Sequence, residues 1–111
     1  MTKTRIVVPF LRWACLLVAG RYSNNGRRSI ELIDDGDGEP IATATINLVN
    51  EYCGPDEVYI KDYSENEGML DTLVTAGVIE EPMERVQSGF IKAPRCKLTA
   101  KGLSLWEEVD E

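Results

Sequence analysis

The 111 residues suffice for one domain with a sizeable core, and 43% apolar against 28% charged residues excludes the disordered class. A formal charge of -7 repels nucleic-acid phosphates and anionic membranes, which favours a protein partner, a cation or no charged partner at all. The absence of histidine excludes Ser-His-Asp and Cys-His catalysis, and three scattered cysteines cannot assemble a structural zinc site.

The first run, MTKTRIVVPFLRWACLLVAG, has Lys3 and Arg5 before an apolar stretch, as a secretion signal would. Pro9 and Arg12 interrupt it, and the remaining Trp13 to Gly20 is far shorter than the ~20 residues a membrane helix needs. It is therefore expected to be structure and not a targeting segment. Strand formers dominate Thr4 to Phe10 and Trp13 to Tyr22. Asn25-Gly26 then predicts a type I′ hairpin turn, because both residues tolerate positive φ.

Arg28 to Ile33 follows as a strand with Ile30 and Leu32 on one face. After the turn DDGDGEP, Ile41 to Val49 alternates Ala42, Ala44, Ile46 and Leu48 with Thr43, Thr45 and Asn47, a period of two that predicts one long strand. Glu57 to Lys61 is a short strand with Val58 and Ile60 inward.

Ser64 and Glu67 have the spacing of a capping box, in which each side chain satisfies the other's backbone N–H at a helix start. Leu70, Leu73, Val74 and Gly77 then form one apolar helical stripe, and Gly77 supplies the stop. Met83 to Gln87 and Phe90 to Leu98 predict a hairpin turning at Ser88-Gly89, and Ala100 to Val109 a short helix carrying Leu103 and Trp106. The expected fold is α+β: a mostly antiparallel, hairpin-built sheet with one packed helix and a short C-terminal helix.

Candidate sites are few. Asp34, Asp35, Asp37 and Glu39 within six residues suggest calcium, but no frame puts acidic residues at positions 1, 3 and 5 with glycine at 6, so a polar turn is expected. Arg21, Arg27 and Arg28 could touch phosphate; a solvated turn, or pairing with Asp34 and Asp35, explains them more simply. Capping accounts for Ser64 and Glu67 but leaves Asp62, Tyr63 and Asn66 unexplained. Asp62, Tyr63, Asn66, Asp34, Asp35 and Asp37 are therefore the expected protein-interaction surface. No catalytic residue, cofactor or metal ligand is expected.

Leu73, Val74, Gly77, Val78 and Ile79, then Leu98, Thr99, Lys101 and Gly102, are similar to the back half of a winged-helix regulator. A recognition helix with Glu65, Glu67 and Asp71 and no cation would repel DNA, so this is the second reading. A small carboxylate-only enzyme is the third.

A different match spans Arg21 to Leu98. The phrases RYSNNGRRSIELIDDGDGEPIATATINL, GPDEVYIKDYSENEGMLDTLVTAGVIEEP and SGFIKAPRCKL resemble a family of small uncharacterised proteins of bacteriophages, plasmids and other mobile elements. The extra Asn24 and the segment beyond Leu98 depart from that pattern. The resemblance implies a bacterial cytoplasm, which the unpaired cysteines suit, and an accessory role. It supplies no activity. The expectation is a non-enzymatic accessory protein that binds a host or phage protein, for instance inhibiting a host defence or nucleic-acid-binding factor through an acidic surface.

Overall fold

The computed structural model describes Thr4 to Glu107. Seven strands form two antiparallel sheets: β1 (Val7–Phe10), β2 (Trp13–Arg21), β3 (Arg28–Asp34) and β4 (Pro40–Thr43) in that order, and β5 (Glu57–Tyr59), β7 (Ile91–Lys97) and β6 (Glu84–Ser88) with β7 central. Two short helices complete an α+β domain, α1 (Met69–Thr75) and α2 (Ala100–Leu103). The expected single sheet is thus two.

One core joins them. Val8, Cys15, Leu17, Ile30 and Leu32 from the first sheet join Val58, Ile60 and Cys96 from the second and Met69, Leu70 and Leu73 of α1 in one buried cluster. Period two along β2 and β3 places these residues on one face. Leu105 and Trp106 close the core, and the indole N–H of Trp106 donates to the Gly20 carbonyl at 2.8 Å.

The long strand expected over Ile41 to Val49 is broken, because this segment serves both sheets. Ala44 N–H still bonds the Ile30 carbonyl of the first sheet, whereas Ile46 N–H bonds Tyr59 and Lys61 N–H bonds Ala44 in the second. Ala44 and Thr45 are consequently both buried, which a strand with one exposed face does not allow. Tyr59, expected outward, is buried with Leu48 and Ala93 in a second cluster on the outer face of β5-β7-β6, under the loop after Ile46.

The turns depart from expectation in type. The β2–β3 hairpin closes through Ser23 to Gly26, with Tyr22 N–H on the Arg27 carbonyl and positive φ at Gly26 (72°) but not at Asn25. It is a four-residue loop and not the two-residue type I′ turn; the Asn25 side chain instead accepts from Arg27 N–H. The β6–β7 turn centres one residue later than expected, on Gly89 and Phe90, between the Ser88–Ile91 pair. β5 ends at Tyr59, opposite a point where Pro94 takes the Ile60 N–H but has no N–H to return.

The last expected helix is shorter, with α2 followed by one 3₁₀ turn over Ser104–Trp106; Glu108 and Val109 lie outside the described residues. Thr99 caps α2, its hydroxyl oxygen accepting from Gly102 N–H at 3.0 Å. At Gly102 an added Cβ would lie 2.2 Å from the Val78 carbonyl oxygen, so glycine is required there for the close approach.

Candidate interaction surface

The capping box is not formed. Ser64 takes a left-handed φ of 54° and opens a 3₁₀ turn, Ser64–Asn66, with no side-chain cap, while α1 starts only at Met69. Asp62 does the work expected of Ser64 and Glu67. Its Oδ1 accepts from Gly68 N–H at 3.1 Å and Leu70 N–H at 3.0 Å, because the 3₁₀ turn folds the chain back over it. The stop is as expected: Gly77 at φ 75°, its N–H on Val74 and Val78 N–H on Leu73, closes a Schellman motif.

Asn66 cannot belong to an interaction surface, since it is only 2% exposed. Its amide donates to the Thr43 carbonyl at 2.6 Å, satisfying the outer edge of β4. Tyr63 is half-buried with the Lys61 ammonium 5.8 Å from its ring, and Lys61 pairs with Glu65.

At the β3–β4 turn, Asp34 Oδ1 accepts from Gly36 and Asp37 N–H, and Asp37 Oδ1 from Glu39 N–H. Asp35 pairs with Arg5. This is the expected polar turn, and no hydrogen bond or ion pair joins it to Asp62, Tyr63 or Asn66 among the described residues. Nor do the three arginines reach Asp34 or Asp35. Arg27 donates to the Leu48 and Glu51 carbonyls, Arg21 to Gly26, and Arg28 to Pro55 while lying over the Trp106 ring at 4.8 Å. They staple loops, and Arg28 also lies 3.7 Å from the Asp56 carboxylate.

The thiols are held protonated. Burial raises Cys15 and Cys53 and pushes Cys96 up to about 12, so none has the depressed pKa of a reactive cysteine. On the outer face of the second sheet, Arg95 bridges Glu57 at 2.5 Å and Glu84 at 3.1 Å. Burial alone would raise the Glu57 carboxyl, but the Gly54 N–H and Arg95 outweigh it and hold it below its ordinary value. Tyr52, 70% exposed, lies over Arg95 at 5.3 Å.

The feature that sequence reasoning missed is the charge of the β6–β7 hairpin. Between Glu84 and Lys97 four cations stand against one anion, a net +3 on a chain of -7. Arg95 is neutralised by its two acids, whereas Arg85 and Lys92 are exposed and make no ion pair among the described residues. Phe90 at the tip is fully exposed. The signal was present in the spacing of Arg85, Lys92, Arg95 and Lys97, but total charge masks a local reversal.

Fold and surface define a small two-sheet α+β domain whose conspicuous exposed feature is a cationic, aromatic-tipped hairpin. Compared with known protein families, curated proteins and solved structures, the chain matches none. Among the described residues no helix is long and apolar enough to cross a membrane.

Proposed function

We propose that this chain is a non-enzymatic accessory protein of a phage or mobile element that acts in the bacterial cytoplasm by binding a host or phage protein. The observation that carries the reading is the polarity of the surface: a hairpin of net +3 with a fully exposed Phe90, on a body that carries the remaining -10. An aromatic anchor beside charge of one sign is what protein interfaces use for affinity and orientation. The residue-level use of carboxylates in turns and caps also supports binding over carboxylate chemistry. Affinity capture from a bacterial lysate, run with and without nuclease treatment, is the test. Stoichiometric recovery of one protein without nucleic acid is expected, and recovery of nucleic acid alone would overturn the reading.

The winged-helix reading keeps one favourable observation, that this cationic hairpin follows α1 as a wing follows a recognition helix. Strands occupy the places of the preceding helices, and the exposed charge on α1 is Asp71. Duplex-DNA binding that weakens steeply with salt would favour it.

A further inference from the structure

We infer that the outer edge of β6 is a docking strand for an extended acidic segment of the partner protein; this rests on the protein-binding reading above. The two sheets have four edges. At β1, Pro9 offers no N–H and its carbonyl accepts from the Thr72 hydroxyl at 3.3 Å. At β4, Pro40 opens the strand and Asn66 takes the Thr43 carbonyl. At β5, Ile46 N–H bonds the Tyr59 carbonyl and Thr45 bridges Ile60. Among the described residues nothing pairs with the fourth edge, that of β6. In the hairpin, Ser88–Ile91 is the closing pair, so Ser88, Val86 and Glu84 face β7 and the backbone groups of Arg85 and Gln87 point away from it. Pro94, opposite Arg85, has no N–H to give in any case.

Charge selects the occupant. Arg85 and Gln87 share a face with Lys92, through the Arg85–Pro94 and Gln87–Lys92 pairs, and both cations are exposed there. A second copy pairing β6 with β6 would set two +3 hairpins side by side, which disfavours self-association. An extended acidic segment gains main-chain hydrogen bonds at Arg85 and Gln87, with alternate carboxylates reaching Arg85 and Lys92. Its other face meets the partly buried Val86 and Ile91 beside Phe90.

The test uses the full chain, isotope-labelled, titrated with a blocked decapeptide of alternating threonine and glutamate. The Arg85 and Gln87 amides are expected to shift and to exchange more slowly with solvent. Arg85→Glu with Lys92→Glu is expected to weaken binding about tenfold or more. Because both positions are exposed, an unchanged urea midpoint confirms that the variant folds. The inference is overturned if those amides do not respond, if lysine in place of glutamate binds equally, if methylating alternate peptide nitrogens changes nothing, or if oligothymidylate of equal charge competes for the edge. A natural partner captured equally by wild type and the double variant would also refute the docking strand, while leaving the protein-binding reading intact.

Discussion

Asp62 and Ser64 stand two residues apart, yet the backbone between them decides which one holds the helix. Asp62→Ala removes the acceptor for Gly68 and Leu70 N–H and is expected to cost about 1 kcal/mol in urea unfolding. Ser64→Gly should instead raise stability by about 0.5 kcal/mol, since it relieves a left-handed φ of 54°. A capping Ser64 would give the opposite sign. The cap was misread because the S-x-x-E pattern carries spacing and no φ. The real contact runs from Asp62 across six and eight residues, a separation no local motif records. Capping leaves Asn66 unexplained because its partner, the Thr43 carbonyl, is 23 residues upstream and only the fold brings it near.

At the scale of elements, strands were legible where one face alone is buried. β2 and β3 follow their alternation, and the β6–β7 hairpin sits within a residue of its expected place. The β1–β2 turn carries none of the usual residues: it passes through Leu11 at φ 55° and Arg12, so nothing marked it. Ala44 and Thr45 defeated the period because both are held by the two sheets at once: Ala44 bonds Ile30 and Lys61 through its backbone, and the Thr45 hydroxyl meets the Tyr22 hydroxyl and Ile30 N–H while its backbone bridges Ile60. The docking of α2 makes a sharp prediction. Gly102→Ala drives a methyl into the Val78 carbonyl and should cost more than about 3 kcal/mol in thermal unfolding. The second sheet should respond to acid. The folded chain holds the Glu57 carboxyl below its ordinary value of 4.5, so its ionised form stabilises the fold above that value. That contribution is lost as pH falls through the lower folded value. Glu57→Gln should therefore flatten the acid side of the stability-versus-pH curve, measured by urea midpoints from neutral pH downward.

For the whole molecule, the three cysteines report on integrity. Cys15 and Cys96 are buried, Cys53 is half-buried, and all have raised pKa values, so a thiol reagent at pH 8 should modify the folded chain slowly. Cys53 is expected to react first, and Cys15 and Cys96 together at the rate of global opening. Separate rates for those two would mean that the sheets open independently. The shared segment from Ala44 to Ile46 argues that they do not, since its N–H and carbonyl groups are divided between both. Where the chain can be cut follows from the same segment. A nick in the Ser23 to Gly26 loop breaks one hairpin connection and should leave two fragments that stay associated, so new termini are tolerated there. A nick between Ala44 and Ile46 would unseam both sheets at once, and no permuted chain opened at that point should fold.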